Sequence, residues 1–288
     1  MLQPQFASVD DVAQRLGAAG YLTDDAIATT VFLADRLGKP LLVEGPAGVG
    51  KTELAKAVAD ATGSELIRLQ CYEGLDEARA LYEWNYKKQL LRIQASHDDD
   101  SWDDISDDVF AEEFLLSRPL LTAIRRDEPT VLRIDETDKA DVEVEGLLLE
   151  VLSDFQITIP ELGTIRAARR PSGFLPSNAT RELSEALKRR CLYLHLDYPS
   201  AEREKAIVLS RVPEIAEQLA ESLVQTVRAL RSLELKKSPS ISESIDWART
   251  LLALGLDTLA EEAVRSTLGV VLKPASAHDR ATTSLKLN

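Results

Sequence analysis

The sequence has few of the residues from which disulfide frameworks and metal sites are built. It contains two cysteines, Cys71 and Cys191, and three histidines, His97, His195 and His278. Each cysteine lies inside an apolar run, and we interpret both as reduced core residues. No histidine has a neighbour at the spacing of a second metal ligand. The scarcity of both residue types argues against a secreted disulfide scaffold and against a structural metal site.

Long apolar runs and an excess of basic residues are also missing. No segment approaches the roughly 20 apolar residues that a membrane span needs, and the first residues lack the pattern of a secretory signal. The formal net charge is −14, which argues against a broad surface for nucleic acid or anionic membranes. We therefore expect a soluble cytoplasmic protein without a membrane partner, and we do not expect nucleic acid to be its partner.

The chain does have enough apolar sequence for a sizeable core. Its 288 residues are 44% apolar and 28% charged, which is typical of globular chains. The length predicts one large domain or two unequal ones. Strand and helix patterns alternate up to Asp197, and only helical patterns follow Ser200. We therefore predict a core domain at residues 1–199 and a small all-helical domain at residues 200–288.

One glycine-rich stretch carries the clearest chemical signal. After the apolar residues 41–43, Gly45, Gly50, Lys51 and Thr52 fill the pattern G-x-x-x-x-G-K-[ST] of phosphate-binding loops. The glycines let backbone N–H groups turn inward as a nest for anions, and the following helix adds the positive end of its dipole. Lys51 would reach the β- and γ-phosphates, and Thr52 would ligate Mg²⁺. A predicted strand before the loop and a helix after it disfavour the alternative, a glycine turn before an ordinary helix.

A second landmark is a predicted buried strand that ends in two acidic residues, Asp135 and Glu136. Asp135 can hold Mg²⁺ through water, and Glu136 can polarise the attacking water as a general base. An acidic pair after a strand is common. It is a specific signal when a phosphate loop lies about 80 residues upstream. Mg²⁺ would be held by Thr52 and Asp135. The candidate nucleotide-binding residues are Gly45, Pro46, Ala47, Gly48, Val49, Gly50, Lys51, Thr52, Glu53 and Asp135.

Other charged and polar residues lie at the later strands. Arg133 is unexpected in a central parallel strand, and it either faces a subunit contact or pairs with a carboxylate. Asn178 ends a predicted strand and could bind the γ-phosphate or the attacking water, although an asparagine there is usually a turn residue. Arg189 and Arg190 precede another strand, and a guanidinium that approaches phosphate can act as an arginine finger. The candidate catalytic residues are Glu136, Asn178, Arg189 and Arg190.

The remaining segments are less specific. We predict a strand at 65–71, helices at 75–93, 114–124 and 142–152, and a β-hairpin at about 155–167. The acidic stretch at about 97–113 could bind a metal or a basic partner, but we favour a solvated, mobile insertion because like charges repel. Arg166, Arg169 and Arg170 are either a solvated face or a grip for an acidic substrate.

In this order, the motifs resemble those of AAA+ ATPases, and within them the MoxR-type group. Residues 45–52 match the Walker A motif, and residues 134–140 resemble the Walker B motif and the residues after it. Residues 177–183 are similar to the sensor-1 segment, and residues 186–191 to the arginine-finger segment. The CoxD-like subgroup is more similar still, through residues 69–76, 82–86 and 152–156. The resemblance covers roughly residues 20 to 252.

The resemblance implies an α/β fold of the P-loop NTPase type, in which a parallel sheet has helices on both faces and is followed by a small helical lid. It implies ATP and Mg²⁺ as cofactors, ATP hydrolysis, and a homo-oligomer, often a hexameric ring, in which the neighbouring subunit supplies the arginine finger. Members of the subgroup act as chaperone-like remodellers in metalloenzyme maturation, commonly beside a protein with a von Willebrand factor A domain. CoxD itself serves the molybdenum-copper carbon monoxide dehydrogenase, and we carry this client over as a hypothesis.

Two positions depart from the family pattern. Pro176 precedes Ser177 where a β-former is usual, which predicts a kink in the strand. Glu243 stands where many members carry a sensor-2 arginine, so coupling of the lid to nucleotide would rest on Lys236, on Lys237 or on no side chain. Two alternative functions stay open: a nucleotide-gated binding module with little turnover, and a nucleic-acid-handling AAA+ motor. A small-molecule kinase fits less well, because the acidic pair and the finger suit water activation.

Overall fold

The computed structural model describes residues 4–95, 109–233, 237–273 and 275–284. Contacts divide the chain into two compact units. The first unit comprises Met1–Glu44 and Thr52–His195, and the second comprises Gly45–Lys51 and Leu196–Asn288. The predicted domain boundary between residues 199 and 200 stays a prediction. Most of the predicted acidic insertion lies outside the described residues, as do His97 and Lys236.

The first unit is built on a parallel sheet. Its described strands are β1 (Leu41–Glu44), β2 (Glu65–Gln70), β3 (Tyr82–Trp84), β4 (Leu115–Ser117), β5 (Thr130–Asp135), β6 (Gln156–Ile159), β7 (Gly163–Arg166), β8 (Ser172–Ser177) and β9 (Leu192–His195). Five strands form the sheet in the order β2-β5-β8-β1-β9, and each pair in it is parallel. Parallel neighbours need crossover connections, which the predicted alternation of strands and helices supplies. The predicted β-hairpin also forms, with β6 antiparallel to β7.

In the sequence, helices lie before and between these strands. They are α1 (Val9–Ala18), α2 (Asp25–Leu37), α3 (Lys51–Thr62), α4 (Glu77–Ala80), α5 (Tyr86–Ala95), α6 (Pro119–Arg125), α7 (Val142–Leu149) and α8 (Glu185–Lys188). Several of their ends carry residues that are typical of helix caps. The Ser8 hydroxyl caps α1 by accepting a hydrogen bond from the Asp11 N–H at 3.1 Å. Helix α2 ends at Gly38, whose left-handed φ of 59° suits a residue without Cβ.

The predicted helix at 75–93 is wrong. The chain forms α4, then β3, and only then α5, because β3 pairs antiparallel with β4 and places Trp84 opposite Leu115. Trp84 is buried, and its ring lies edge-on to Phe110 with 5.3 Å between the ring centroids. These partners are distant in sequence, so tertiary pairing overrides the local helical pattern.

Two further helices differ from their predicted extent: one starts later than predicted, and the other changes to a wider helical turn near its end. The segment 114–124 begins with β4, and α6 starts only at Pro119, a residue suited to the first turn because its missing N–H needs no partner there. The helix predicted at 142–152 is regular as far as Leu149 and then widens into a π-helical turn at Glu150–Asp154. It ends at Phe155, which has a left-handed φ of 52°.

The two thiols differ in burial. Cys71 is fully buried, as predicted, whereas Cys191 is only half-buried, and both are free. Burial and then the charge of Asp135 raise the pKa of Cys71 to about 12. Burial likewise raises the pKa of Cys191 to about 12. Both thiols are therefore protonated and weakly nucleophilic at neutral pH.

The helices of the second unit pack around Trp247. They are α9 (Ala201–Arg211), α10 (Glu217–Arg231), α11 (Ile241–Ala253), α12 (Glu261–Val271) and α13 (Ala275–Ser284), of which α13 was not predicted. Trp247 is fully buried, and its indole N–H donates to the Thr267 hydroxyl at 2.7 Å. Within the described ranges, no helix combines the length and the apolar character that crossing a membrane requires.

A buried ion pair also holds the second unit together. The Arg231 guanidinium donates two hydrogen bonds to the Glu204 carboxylate, at 2.6 and 2.7 Å. Glu204 is completely buried and also accepts from the Ser244 hydroxyl at 2.8 Å. The guanidinium carbon of Arg231 lies 4.2 Å from the centroid of the Tyr198 ring. The pair therefore links α9, α10 and α11.

We predict that Arg231→Met destabilises the second unit by about 3–5 kcal/mol, because it leaves a buried carboxylate without its cation. Denaturant unfolding followed by the fluorescence of Trp247, with Trp84 and Trp102 replaced by phenylalanine, measures this loss. Arg228→Met is the matched control, because Arg228 lies on the same helix and is exposed.

The double variant Glu204→Met/Arg231→Met separates loss of charge balance from loss of packing. We expect it to be clearly more stable than Arg231→Met alone, since no buried charge remains unpaired. If both variants unfold at the same denaturant concentration, the ion pair is not the cause of the loss.

Candidate functional site

The predicted nucleotide-binding and catalytic residues lie at the ends of three neighbouring strands of the sheet, or directly after them. Strand β8 lies between β5 and β1, and its parallel register pairs Ser177 with Glu44 at the end of β1. Asp135 and Glu136 stand at the end of β5, and Asn178 follows β8. The carboxyl edge of such a sheet is where ligands bind in open α/β folds. The structure therefore brings these three predicted residues to one edge of the first unit.

The glycine loop, residues 45–51, leaves β1 and leads into α3. Gly45, Gly48 and Gly50 have φ values of 153°, 74° and 99°, which residues with a Cβ rarely adopt. A Cβ at Gly45 would lie 1.9 Å from the carbonyl oxygen of Leu196, and one at Gly48 would lie 2.2 Å from the Cβ of Ser240. The backbone can be this compact only with glycine at these positions. Without side chains at these positions, a bound group can approach the main-chain N–H groups closely, as a phosphate group requires.

Lys51 is the basic residue of this loop. Its side chain is buried, and its ammonium donates to the carbonyl oxygens of Gly45 and Pro46, both at 2.7 Å. The positive charge is therefore directed against the loop instead of into solvent. Thr52 is exposed at the first turn of α3. Glu53, which was also a candidate, forms an ion pair of 2.5 Å with Lys56 on the same helix.

Glu243 has a local structural role. Ser240 caps α11 with its hydroxyl, and the Glu243 carboxylate accepts from the Ser240 N–H at 2.7 Å, which completes a capping box. Burial acts to raise the pKa of Glu243, but the hydrogen bonds from Ser240 and the charge of Lys237 outweigh it and lower the pKa. The same helix start contacts the glycine loop, because the Ile241 N–H donates to the Gly48 carbonyl at 3.2 Å.

Asp135 is buried and held by two guanidinium groups. Arg68 Nε lies 2.6 Å from Oδ2, and Arg133 Nε lies 3.0 Å from Oδ1. Arg133 therefore pairs with a carboxylate, the second of the two alternatives. Arg68 was not predicted from the sequence, although it is aligned with Arg133 across β2 and β5. The sequence carries no local signal for this contact, because only the pairing of β2 with β5 brings Arg68 beside Asp135.

Glu136 and Ala179, which follow β5 and β8 closely, share an uncommon backbone conformation. Both have a left-handed φ of 55° although neither is glycine. Such strain persists only where the surroundings fix it, and it is concentrated at functional sites. The Glu136 carboxylate lies 2.5 Å from the Lys139 ammonium, and this hydrogen bond is the main reason why the pKa of Lys139 is raised.

A polar network that was not predicted from the sequence connects the segments after β5 and β8. The Asp138 carboxylate accepts from the Thr180 N–H at 3.1 Å and from the Thr180 hydroxyl. Arg181 donates to the backbone carbonyls of Asp138 and Ala140, and it pairs with the buried Glu145 at 2.7 Å. These bonds fix the two strand exits relative to each other, which accounts for the left-handed residues beside them.

The end of β8 is regular despite Pro176. The predicted kink is absent from the pairing with β1, where Pro176 lies opposite Val43. Pairing with β5 instead ends at Phe174, as expected where a proline cannot donate. Beyond the strand, the Ser177 hydroxyl accepts from the Ala179 N–H at 3.0 Å, and Asn178 is exposed.

The two finger candidates differ in their contacts. Arg189 and Arg190 follow α8, and both are exposed. The Arg190 side chain donates to the carbonyl oxygen of Ala186 on the preceding helix, α8, at 3.0 Å. The Arg189 side chain forms no hydrogen bond or ion pair within the part of the chain that the structure describes.

The arginines at the end of the hairpin and after it, Arg166, Arg169 and Arg170, are not gathered in one site. Arg169 and Arg170 line a cavity of about 50 Å³, whereas Arg166 lines a separate cavity of about 320 Å³ beside α6. The Arg170 guanidinium carbon lies 4.6 Å from the centroid of the Phe155 ring.

A Mg²⁺ ion has two predicted protein ligands. Hard oxygen donors suit this ion, and the buried Oδ1 of Asp135 makes no hydrogen bond to the described residues. Among the same residues, no cluster of three or more His, Cys, Asp or Glu could hold a metal ion alone. The donors fit an ion that takes its remaining ligands from phosphate and water, as Mg²⁺ usually does.

Known proteins resemble this chain at several levels. An uncharacterized protein of Staphylococcus epidermidis is 27% identical over 263 residues, which cover 88% of this chain and 92% of that protein. The uncharacterized protein YojN of Bacillus subtilis is 28% identical over 218 residues, which cover 73% of this chain and 63% of that protein. A mutant of RuvB from Thermotoga maritima is similar over 94% of this chain and 73% of that chain, with a TM-score of 0.51 and 18% identity.

The family comparison is more specific than these individual matches. Residues 40–206, more than half of the 288-residue chain, match the AAA domain (dynein-related subfamily). With the structural likeness to RuvB, this confirms the predicted AAA+ P-loop NTPase fold, a parallel sheet with flanking helices and a helical C-terminal region. The chain belongs to the AAA domain family, in its dynein-related subfamily.

Proposed function

We propose that the protein is an ATPase that binds ATP with Mg²⁺ and hydrolyses it to ADP and phosphate. The observation that carries the proposal is the shared carboxyl edge of β1, β8 and β5. The phosphate-loop sequence, an acidic pair and an asparagine leave this one edge. Membership of the AAA domain family supports nucleotide hydrolysis as the general reaction.

Each residue of the set has a distinct role in this proposal. The N–H groups of residues 45–51 and the ammonium of Lys51 bind the phosphates. Thr52 and Asp135 hold Mg²⁺, which when bound neutralises charge on the transferred phosphoryl group. Glu136 accepts a proton from the attacking water, whose oxygen forms a bond to the γ-phosphorus while the bond to ADP breaks. Asn178 orients this water by hydrogen bonding.

The arginine finger is assigned to Arg189. A finger must reach a phosphate bound by a neighbouring subunit, so its guanidinium has to be available. The Arg189 side chain makes no hydrogen bond or ion pair to other described residues, whereas the Arg190 side chain donates to Ala186 on the preceding helix, α8. Arg190 then serves the end of α8. This assignment requires a homo-oligomer, and we propose the hexameric ring that the MoxR resemblance implies.

More specifically, we propose that the protein is a MoxR-type ATPase of the CoxD-like subgroup and acts as a chaperone-like remodeller. This proposal rests on the quoted motifs and on the β6–β7 hairpin, which precedes the sensor-1 segment as in that group. A metalloenzyme related to the molybdenum-copper carbon monoxide dehydrogenase is the proposed client, and a von Willebrand factor A-domain protein is the proposed partner. The net charge of −14 favours a protein client over nucleic acid.

A nucleotide-gated binding module is the second candidate. The carboxylates proposed for metal binding and water activation are both engaged in ion pairs, Asp135 with Arg68 and Arg133, and Glu136 with Lys139. If these pairs persist with nucleotide bound, turnover will be slow. Tight ATP binding without phosphate release distinguishes this candidate from the ATPase.

We expect Lys51→Met to weaken ATP binding about 10- to 100-fold, because it removes charge-assisted hydrogen bonds to the phosphates. Isothermal titration calorimetry with ATP and Mg²⁺ measures the change. Lys56→Met is the matched control on the same helix, since Lys56 contacts Glu53 and its charge is exposed. Equal losses in both variants would mean that the loop does not bind phosphate.

Glu136→Gln should retain ATP binding and lose about 10²- to 10⁴-fold in kcat, because glutamine cannot accept the proton of water. Phosphate release and nucleotide affinity are measured on the same preparation. Glu143→Gln, an exposed carboxylate on α7, should leave both unchanged. Full turnover by Glu136→Gln would remove Glu136 from the mechanism.

Arg189→Ala should lower kcat on the order of 10³-fold, whereas Arg190→Ala should have a much smaller effect. Specific activity of the wild type should rise with protein concentration, because each site needs a neighbour. Mixing Arg189→Ala chains with Glu136→Gln chains should restore part of the activity, since each supplies the residue that the other lacks. Absence of recovery together with concentration-independent activity would contradict a finger supplied in trans.

A further inference from the structure

The two cations on Asp135 have no role in the hydrolytic mechanism described above. We propose that Arg68 competes with Mg²⁺ for the Asp135 carboxylate and so sets the Mg²⁺ concentration at which nucleotide is bound. The inference rests on the proposed function, because it takes Asp135 as a residue that holds Mg²⁺. It assigns Arg68 a positioning role that acts through Asp135, without contact to the reacting atoms.

Competition is expected because both oxygens of the Asp135 carboxylate already lie close to an arginine. Arg68 Nε contacts Oδ2 at 2.6 Å, and Arg133 Nε contacts Oδ1 at 3.0 Å. Each oxygen of Asp135 therefore already has a cation within contact distance. A hydrated Mg²⁺ ion needs at least one of these oxygens. Oδ1 makes no hydrogen bond to the described residues and can face the ion. The Arg68 guanidinium on Oδ2 of the same carboxylate, however, repels a divalent cation and holds the carboxylate in its present orientation, so the ion and the Arg68 ion pair oppose each other.

Arg68 is the partner that can leave. Its side chain is 55% exposed, and it projects from β2, the edge strand of the sheet. The Arg133 side chain is only 7% exposed and lies in β5 between two paired strands. Moving Arg133 would place an unpaired charge in the core, whereas moving Arg68 transfers its charge to water. The exchange therefore takes place at Arg68.

The strand also provides a second acceptor for Arg68. Gln70 lies two residues further along β2, hence on the same side of the strand, and its side-chain carbonyl accepts a hydrogen bond from Arg68 Nη2. A guanidinium that releases Asp135 can keep this neutral partner. Arg133 meanwhile stays beside Asp135. The buried carboxylate therefore keeps a cationic partner after Arg68 has left.

The experiment measures Mg²⁺ dependence directly. Binding of a fluorescent N-methylanthraniloyl derivative of ATP is titrated with Mg²⁺ at a fixed nucleotide concentration, for the wild type, Arg68→Met and Arg68→Gln. We expect both variants to need about tenfold less Mg²⁺ for half-maximal binding, which corresponds to one lost charge-assisted hydrogen bond. Binding in EDTA should not become tighter, because only the metal competes with Arg68.

Arg126→Met is the matched control, because it removes the same charge as the Arg68 variants. Arg126 pairs with Glu65 at the start of β2, far along the strand from Asp135, and its loss should leave the Mg²⁺ requirement unchanged. Thermal unfolding of each variant verifies that it is folded, and the two Arg68 variants provide independent replacements. A structural role for Arg68 would weaken binding, whereas competition strengthens the response to Mg²⁺.

The outcomes separate the inference from the proposed function. Wild-type binding that depends on Mg²⁺, with no shift in either Arg68 variant, overturns the competition and leaves the ATPase proposal standing. A shift of equal size in Arg126→Met also overturns it, because the effect would then be one of net charge. Absence of any nucleotide binding by the wild type overturns the proposed function, and the inference falls with it.

Discussion

The parallel pairing of β1, β8 and β5 is the constraint on which the rest of the candidate site depends. Because β8 lies between the other two strands, residues that are far apart in the chain leave the sheet at one edge. The glycine loop follows one of these strands, the acidic pair ends the second and Asn178 follows the third. The hydrogen bonds that Thr180 donates to Asp138 and the ion pair of Arg181 with Glu145 then hold two of the exits together. Strained residues can persist there because this network over-determines their conformation.

The features that could be predicted from the sequence are those formed by short, contiguous segments. The loop, the acidic pair and the hairpin each depend on neighbouring residues, and all of them form where local rules place them. The features that could not be predicted depend on distant partners. Arg68 lies 67 residues from Asp135, and Arg181 lies 36 residues from Glu145. The same reason explains the failed helix at 75–93, since only the remote β4 makes that segment extended.

The second unit shows how a departure from a family pattern can have a local explanation. Glu243 stands where the resemblance leads one to expect an arginine, and its carboxylate closes the capping box of α11. Lys237, one of the two basic alternatives, pairs with that same carboxylate at 3.4 Å. The direct contact between the glycine loop and α11 is instead a main-chain hydrogen bond from Ile241 to Gly48. A signal between loop and helix that used this bond would not depend on the identity of a sensor side chain.

The close approach of Gly48 to Ser240 has a consequence for how such sequences diverge. A Cβ at position 48 would lie 2.2 Å from the Cβ of Ser240, so position 48 cannot gain a side chain while Ser240 stays in place. The loop pattern itself leaves position 48 unspecified, yet packing restricts it. Substitutions at the two positions should accordingly be correlated among relatives that keep this helix start. The glycine is then maintained by the residue that caps α11 as well as by the chemistry of phosphate.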